Sequence, residues 1–309
     1  MTTQVPDLAD WQRIARSEPC AALISQANAT PVTFELSNTQ LSGWQSGPQS
    51  ETPILCLHGW LDNANSFLAL AAAMPSQSLI AIDFAGHGFS SHRSRDAHYY
   101  LFDYVADIVE LIQKQSWSQL QIIGHSMGGM VATALAAAMP ELVEKLVLLD
   151  SMGFVTTVAE DTATQLRKAL LSRQGRLLKQ KPTYQTLQQA AIARQSQSDF
   201  SLQEAMILAQ RGCFALSDDA TAFTWRADMR LRELSAQRLT TEQAKALIGK
   251  LQCPVLALMA EDSIELMQQN LAIYQSSYRL LQLQYLAGGH HLHMTNAAAV
   301  AKSVCKFLR

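Results

Sequence analysis

One stretch decides the fold of this 309-residue chain: Leu120-Gln121-Ile122-Ile123-Gly124-His125-Ser126-Met127-Gly128-Gly129. It begins with a short apolar run typical of a buried strand, and it leads into the apolar segment Met127–Met139, which is typical of a helix. Side chains two positions before and after a serine on so tight a turn would collide. Gly124 and Gly128 therefore predict a strand, a sharp turn and a helix in direct succession.

This turn is a setting in which a serine hydroxyl can serve as a nucleophile. We expect it to hold Ser126 in a strained backbone conformation with the hydroxyl projecting. Met127 opens the helix, so its backbone N–H lacks an acceptor and points toward the group that the serine would attack. Ser126 is the candidate nucleophile and the Met127 N–H a candidate oxyanion-hole donor. A glycine-rich turn without chemistry is the alternative.

Other apolar runs predict the remaining strands of the same sheet. They are Ile54–Leu57, Leu79–Ile82, Leu146–Leu149 and Val255–Met259. Nearly every position in them is apolar, which is typical of parallel strands covered by helices on both faces. Leu281, Leu283 and Tyr285 alternate with glutamines, so that strand is expected nearer an edge. The predicted fold class is α/β, with a doubly wound, mostly parallel sheet.

The spacing of the strands predicts the domain organisation. About 100 residues separate Leu146–Leu149 from Val255–Met259, and a structureless loop of that length is implausible. We expect residues 153–245 to form a helical cap, or lid, inserted after the sixth strand. The core would then comprise residues 31–152 and 246–309, and residues 1–30 would form an N-terminal arm or short helix.

Composition excludes several classes of protein. The chain has a 48% hydrophobic fraction and a net charge of −2, so it is globular and has no overall charge that would attract nucleic acid or an anionic membrane. No apolar window reaches the length of an integral membrane segment. Five scattered cysteines and the absence of a visible secretory signal predict a cytoplasmic protein. No phosphate loop or dinucleotide fingerprint is present, so no cofactor is predicted.

A serine nucleophile needs a base, and chain order in this architecture places the histidine last, after the acid. The cluster Gly288-Gly289-His290-His291-Leu292-His293 follows the final predicted strand. His290 directly follows the two glycines and is the preferred base, with His291 and His293 as competitors. Since no carboxylate or cysteine stands nearby at ligand spacing, we expect no metal at this cluster.

Three carboxylates compete for the acid that orients the base. Asp150 directly follows Leu146–Leu149, whereas Glu261 and Asp262 follow Val255–Met259. Each could accept a hydrogen bond from the imidazole and stabilise its protonated form.

The remaining site residues are expected around the loop that follows Ile54–Leu57. His58-Gly59-Trp60 lies where this architecture supplies the second oxyanion-hole donor, so the Trp60 N–H is the candidate. His58 itself is expected to hold the turn. An apolar substrate pocket is predicted, with ordinary core packing as the alternative. Its candidate residues are Phe67, Met152, Phe154, Phe214 and Trp225.

These motifs together resemble those of the α/β-hydrolase superfamily, and more closely its serine hydrolase-like proteins. The resemblance rests on four stretches, and Leu208–Gly212 is similar as well. The four are His58–Phe67, Asp83–His92, Gly124–Gly129 and Gly289–Met294.

The resemblance implies a serine, histidine and acid acting together. The family usually carries an aspartate where this chain has Ser263, which weakens the case for Asp262. Some related small-ester hydrolases carry the acid about 24 residues past the nucleophile. Asp150 stands at that distance from Ser126, so Asp150 is preferred, and Asp262 and Glu261 remain alternatives.

The predicted function is a serine hydrolase that cleaves a small, largely apolar carboxylic ester or thioester through an acyl-enzyme on Ser126. Lactonase, carbon–carbon hydrolase and other chemistry of the same residues stay open, because a fold does not decide among them. A ligand-binding homologue without turnover is the alternative of another class. The predicted partner is a small-molecule ester, and the oligomeric state is not predicted.

Overall fold

A computed structural model describes residues 8–216 and 220–309. Within these ranges the chain forms ten strands. They are β1 (Thr30–Glu35), β2 (Gln40–Ser46), β3 (Ile54–Leu57), β4 (Leu79–Ile82), β5 (Leu120–His125), β6 (Val143–Leu149), β7 (Cys213–Ala215), β8 (Phe223–Trp225), β9 (Val255–Asp262) and β10 (Leu281–Gly289).

Twelve α-helices connect or flank these strands in the described part of the chain. They are α1 (Leu8–Ala15), α2 (Cys20–Ala27), α3 (Leu68–Ala73), α4 (Leu101–Lys114), α5 (Met127–Ala138), α6 (Thr162–Leu177), α7 (Leu187–Gln195), α8 (Leu202–Gly212), α9 (Thr241–Ile248), α10 (Glu265–Tyr274), α11 (Leu292–Thr295) and α12 (Ala297–Leu308). None of them is both long enough and apolar enough to span a bilayer.

Eight strands form one sheet in the order β1-β2-β4-β3-β5-β6-β9-β10. The strands from β4 to β10 in this order run parallel, whereas β1 and β2 pair antiparallel with each other and β2 pairs antiparallel with β4. The prediction of a mostly parallel, doubly wound α/β sheet is confirmed. β10 lies at an edge of the sheet, in agreement with its alternating pattern.

The core lies on both faces of this sheet. Successive side chains of a strand point to opposite faces. Cys56 of β3 accordingly packs in a cluster with α3 and α12, whereas Leu55 and Leu57 pack in a second cluster with α4 and α5. Because both faces are covered by helices, almost every side chain of the central strands is buried.

Parallel strands end at a common edge of a sheet, and this edge positions the site. β3, β5, β6, β9 and β10 all deliver their following residues there. Groups that are far apart in the chain are thus brought to one side of the molecule by strand direction alone.

Where an N-terminal arm or short helix was expected, the chain forms two short helices, α1 and α2. Both are part of the core, because Ile14 and Cys20 are fully buried in the cluster that also holds α3. Trp11 and Ile14 stand three residues apart on α1, and Cys20 and Ile24 stand four apart on α2, so each helix turns one apolar face inward. Residues 1–7 of the predicted arm lie outside the described residues.

The segment 153–245, which we call the insert, contains α6, α7, α8 and the start of α9. It also contains a two-stranded antiparallel sheet of β7 and β8, which the helical pattern of the sequence did not predict. Within it, α8 packs against the core, because Ile207 and Leu208 belong to the same buried cluster as α2 and α3.

A buried ion pair joins the insert to the core. Arg211 of α8 and Asp83 after β4 are both fully buried, and the Arg211 Nε donates to both Asp83 carboxylate oxygens at 2.8–2.9 Å. The Asp83 carboxylate also accepts from the backbone N–H groups of Ala64 and Phe89 at 2.7 and 2.6 Å. The Arg211 guanidinium lies 4.5 Å from the centre of the Phe89 ring.

We expect Arg211→Met to lower the free energy of unfolding by about 3–5 kcal/mol, because it leaves the Asp83 carboxylate buried without its counter-ion. The exposed Arg279 serves as the control, and Arg279→Met should change the value by less than about 0.5 kcal/mol. Urea denaturation measures both. Equal losses in the two variants would contradict the importance of the pair.

Candidate active site

The turn after β5 has the geometry that its glycines predict. Ser126 lies at φ 49° and ψ −118°, a region that residues with a side chain rarely adopt. A Cβ atom on Gly124 would lie 2.6 Å from the Gly129 Cα, and one on Gly128 would lie 2.0 Å from the Leu57 carbonyl oxygen. Glycine is therefore required on both sides of Ser126 for β5 and α5 to meet at this angle.

The structure brings Ser126, His290 and Asp150 together. The His290 Nε2 lies 3.0 Å from the Ser126 Oγ, and the His290 Nδ1 lies 2.6 Å from the Asp150 Oδ2. Both distances are those of hydrogen bonds. In the tautomer with a proton on Nδ1, His290 donates to Asp150 and presents a lone pair to the serine hydroxyl.

Asp150 is held rigidly at the end of β6. Its carboxylate is fully buried, its backbone lies at φ 40°, and its N–H donates to the Leu258 carbonyl at 2.8 Å. The Asp150 Oδ1 accepts from the Ala260 N–H at 3.0 Å, and the Oδ2 accepts from the Ser263 hydroxyl at 2.8 Å. The Oδ2 thus accepts from both Ser263 and His290, and these donors together hold the carboxylate in place.

The other two candidate acids lie elsewhere. Glu261 and Asp262 are exposed at the end of β9, and no hydrogen bond or ion pair joins either to His290. Ser263 stands where the resemblance led us to expect an aspartate, and its hydroxyl instead supports Asp150. The carboxylate beside the imidazole is therefore Asp150, at the end of the neighbouring strand β6.

Two backbone N–H groups near Ser126 are free to bind an anion. In the described part of the chain, no group accepts a hydrogen bond from the N–H of Trp60 or of Met127. Trp60 follows β3 and Met127 opens α5, and both residues line the same cavity as the Ser126 side chain. The Trp60 indole is fixed by a hydrogen bond from its Nε1 to the Leu231 carbonyl at 2.8 Å.

The backbone on either side of the His290 carbonyl is held by groups from two other segments. His125, inside the turn after β5, donates from its Nε2 to the His290 carbonyl oxygen at 2.9 Å. Asp199, between α7 and α8, accepts from the His291 N–H at 3.0 Å and from the His291 Nδ1 at 2.5 Å. The orientation of the His290 ring therefore depends on both the turn and the insert.

Asp62 joins these segments in a buried charge network. It follows β3, and its carboxylate accepts from the Arg194 guanidinium of α7 at 2.8 Å. It also lies 3.5 Å from the His291 Nε2 and 3.6 Å from the His125 Nδ1. One carboxylate thus contacts the insert, the histidine loop and the serine turn.

The network separates charged from neutral histidines. Burial acts to lower the pKa of His291, but Asp62 and Asp199 outweigh it and raise the pKa from its ordinary value of 6.5 to about 9. For His125, burial and the neighbouring histidines hold the pKa well below 6.5. Burial opposes ionisation of Asp199, yet its hydrogen bond with His291 lowers the carboxyl pKa to about 2. An imidazolium at His291 is therefore paired with two carboxylates.

Two of the remaining histidines have positions that explain their presence. His58 holds its turn, as expected, because its Nδ1 bonds to the Gly59 carbonyl at 2.7 Å and its Nε2 accepts from the Phe84 N–H at 3.0 Å. His293 is fully buried, and burial lowers its pKa to about 3. Its ring packs at 4.2 Å from the His125 ring, and neither of its nitrogens has a hydrogen-bond partner in the described structure, whereas His290 contacts the Ser126 hydroxyl.

A cavity of about 1620 Å³ opens at Ser126 and His290. Phe154 and Trp225 line it, as the sequence predicted. The other three candidate pocket residues are not among the residues that line this cavity. Phe67 and Met152 are fully buried in the core beneath the site, and Phe214 of β7 packs under the Arg226 guanidinium.

Sequence reasoning did not single out four residues that shape the site. They are Asp62, His125, Arg194 and Asp199. Asp62 and His125 fall within the stretches that carry the family resemblance, so a local signal was present. Arg194 and Asp199 lie in the insert, where nothing in the pattern showed which carboxylate faces His291.

Residues 52–297 match the family described as alpha/beta hydrolase fold. A serine hydrolase-like protein of Danio rerio is 31% identical over 285 residues, which are 87% of this chain and 85% of the relative.

The chain belongs to the α/β-hydrolase family. Among solved structures, a hypothetical protein of Pseudomonas aeruginosa PAO1 is 35% identical with a TM-score of 0.83, and the match covers 90% of this chain and 99% of the other. The thioesterase domain from the curacin biosynthetic pathway is 26% identical with a TM-score of 0.78, over 90% and 99% of the two chains. The family resemblance drawn from the motifs is confirmed.

For this α/β-hydrolase we expect Asp150→Asn to slow reaction with an ester by on the order of 10⁴-fold, because an amide next to His290 favours the wrong tautomer. Asp262→Asn, its matched control, should stay within about twofold since that side chain is exposed. Initial rates with p-nitrophenyl acetate measure both. Loss of activity only in Asp262→Asn would overturn the choice of acid.

We expect Asp199→Asn to lower the free energy of unfolding at pH 6 by about 1–3 kcal/mol, since it weakens a hydrogen bond to a charged imidazole. The pKa of His291 is raised, so its stabilising contribution is complete below pH 6.5 and is lost as the pH rises through about 9. The gap between wild type and variant should close over that range. Denaturation at several pH values measures it, with the exposed Asp161→Asn as control. A gap independent of pH would contradict this account.

Proposed function

We propose that this α/β-hydrolase is a serine hydrolase that cleaves carboxylic esters or thioesters through an acyl-enzyme on Ser126. The observation that carries the proposal is the continuous hydrogen-bond chain from the Ser126 Oγ through both nitrogens of His290 to the buried Asp150. A serine hydroxyl is inert at neutral pH unless a base removes its proton. His290 is placed to be that base.

The proposed reaction proceeds in two halves. His290 takes the proton of the Ser126 hydroxyl as the oxygen attacks the ester carbonyl, and Asp150 stabilises the resulting imidazolium. The carbonyl electron pair moves onto oxygen to give a tetrahedral oxyanion. As the pair returns, the bond to the leaving alcohol or thiol breaks, and His290 gives that group its proton. Water then attacks the acyl-enzyme by the same route and releases the acid.

The backbone N–H groups of Trp60 and Met127 are the proposed oxyanion donors. Both flank Ser126 at the cavity, and neither N–H has an acceptor in the described structure. A donor aimed at an oxyanion contributes about 3–4 kcal/mol to the transition state. Because α5 begins at Met127, the positive end of its dipole adds to this stabilisation.

The cavity supports an ester with a sizeable acyl or alcohol part. Its volume of about 1620 Å³ exceeds the roughly 300–1,000 Å³ of most small-molecule sites. Apolar side chains such as Met130, Phe154 and Leu231 line it together with polar ones. The insert, as the proposed lid, contributes Trp225 and Leu231 to this lining. The thioesterase that shares the fold favours keeping thioesters beside oxygen esters.

A fluorophosphonate probe tests the proposal, since it labels only an activated serine. We expect it to label the protein at Ser126 and p-nitrophenyl acetate to be hydrolysed. Ser126→Ala should abolish labelling and lower turnover by at least about 10³-fold, with an unchanged circular dichroism spectrum. Ser50→Ala, at an exposed serine, is the control.

The outcomes distinguish the alternatives. Labelling at another residue, or full activity in Ser126→Ala, would sink the proposed mechanism. A folded protein that binds esters without being labelled would be a ligand-binding homologue. A panel of esters, thioesters, lactones and β-diketones then separates esterase from lactonase and carbon–carbon hydrolase activity.

A further inference from the structure

The insert concentrates positive charge that the whole chain does not have. The chain has 24 basic and 26 acidic residues, yet residues 162–198 contain seven basic residues and no Asp or Glu. They are Arg167, Lys168, Arg173, Arg176, Lys179, Lys181 and Arg194. Net charge alone predicted no attraction to an anionic surface, but local charge determines attraction at short range.

These basic residues divide into two groups by their contacts. Arg173 and Arg176 pair with Glu233, Arg194 pairs with Asp62, and Lys181 donates to the carbonyl oxygens of Trp225 and Arg226. By contrast Arg167, Lys168 and Lys179 are exposed, and no carboxylate among residues 8–216 and 220–309 pairs with them. Three cations on and just beyond α6 are therefore available to an external partner.

The same helix exposes leucines. On α6 they are Leu166, Leu170, Leu171 and Leu177, and Leu178 follows at the end of the helix. Leu177 is 72% exposed and Leu178 is 88% exposed, unusual for aliphatic side chains of this size. At 3.6 residues per turn, Leu166, Leu170 and Leu177 fall within about 40° of one another around the helix axis. They form one apolar stripe. Leu171 and Leu178 lie roughly 100° farther around the axis, between Arg167 and Lys168, so leucines and unpaired cations share the exposed side of the helix.

Two residues of α6 join the helix to the surroundings of the cavity. Arg173 donates to the Tyr100 hydroxyl at 2.7 Å, and the Ser172 hydroxyl accepts from the Leu234 N–H at 3.2 Å. Tyr100, Glu233 and Leu234 all line the cavity above Ser126. α6 thus lies between the cavity wall and the outside.

Exposed apolar side chains also belong to the cavity lining itself. They are Trp60, Phe102, Val155, Leu234, Ile264 and Leu266. Arg173 stands in line with the leucine stripe on α6 and donates to the hydroxyl of Tyr100, which also lines the cavity, so the stripe and the lining meet at this contact. A surface that covers the stripe would therefore lie near the cavity's opening.

The chemistry of this face selects its occupant. A second copy of the chain would bring two faces together on which cations outnumber the exposed Glu160 and Asp161 that precede α6, and like charges oppose such a contact. Leucines flanked by Arg and Lys fit the boundary between acyl chains and anionic headgroups, where apolar burial and charge attraction act together.

We propose that the outer face of α6 binds an anionic phospholipid surface and that the enzyme takes its ester substrate from that surface. The substrate part rests on the proposed function, whereas the binding part does not. Docking through the leucines would place the apolar lining beside the lipid, so a long-chain ester can pass from the lipid to Ser126 without crossing water.

Vesicle binding tests the docking without any need for activity. The full chain is sedimented with vesicles of phosphatidylcholine alone and with vesicles of equal parts phosphatidylcholine and phosphatidylglycerol. We expect binding to the anionic vesicles only. Leu177→Ser with Leu178→Ser, and separately Arg167→Gln with Lys168→Gln, should each weaken this binding at least 10-fold.

Matched controls come from the opposite edge of the sheet. Leu280 and Lys250 are exposed just before β10 and β9, and Leu280→Ser and Lys250→Gln should bind as wild type does. Equal binding to neutral and anionic vesicles would overturn the proposal. So would α6 variants that bind like the controls. No binding of wild type to either vesicle would also overturn it and would leave an acidic protein as the occupant of this face.

The substrate part has its own readout. p-Nitrophenyl palmitate in anionic vesicles should be hydrolysed at least 10-fold faster by wild type than by the α6 variants, while all hydrolyse water-soluble p-nitrophenyl acetate equally. Equal rates on the vesicles would overturn delivery from lipid. Loss of acetate hydrolysis and fluorophosphonate labelling in wild type itself would instead contradict the proposed function and leave the vesicle-binding result standing.

Discussion

The geometry of the site depends on the backbone of Ser126, held at a positive φ between β5 and α5. Such a conformation costs about 1–3 kcal/mol and persists only where the surroundings enforce it. Here both close steric contacts and a hydrogen bond hold the Ser126 backbone in this conformation. Gly124 and Gly128 permit close contact with the neighbouring backbone, and the Ser126 N–H donates to the Leu149 carbonyl of β6 at 3.3 Å. The hydroxyl is thereby aimed at the edge of the sheet where the other strands end.

Because the strands are parallel, they bring the other groups of the site to the same edge of the sheet as Ser126. β6 brings Asp150, β9 brings its two hydrogen-bond donors, and β10 brings His290 to the same edge. The proposed acid, Asp150, follows β6, where its carboxylate is fully buried and has three hydrogen-bond partners. Strand ends next to each other in the sheet are near enough for a carboxylate on one and a hydroxyl on the other to meet. This explains how Ser263 can stand where the family resemblance led us to expect an aspartate.

A second layer of charges ties the insert to the residues that contact His290. Asp199 and Arg194 reach His291 and Asp62, while His125 holds the His290 carbonyl from the other side. A change in how the insert packs would therefore move the peptide unit between His290 and His291 and so alter the orientation of the His290 ring. If α6 docks on a surface as proposed, the same insert carries both the contact with that surface and the contact with the histidine loop. The insert would then affect both the access of substrate and the orientation of the base, His290.

The α/β fold, the turn at Ser126 and the order of the chemical groups along the chain could all be predicted from the sequence, because they follow from local rules. Apolar runs give buried strands, and only glycine tolerates the close contacts at positions 124 and 128. Positions relative to the predicted strands limited the candidates for the acid to three residues, and the number of residues from Ser126 favoured Asp150. Such numbers measure distance along the chain and not distance in space.

The contacts between side chains that are distant in the chain could be read only from the tertiary fold. It placed Asp150 against His290, left Glu261 and Asp262 in solvent, and buried Phe67 and Met152 beneath the site rather than in its wall. It also brought Asp199 to His291, 92 residues away in the chain. The physical reason is that hydrogen bonds and burial depend on distances between elements, which strand order and helix packing set and which no local pattern of residues contains.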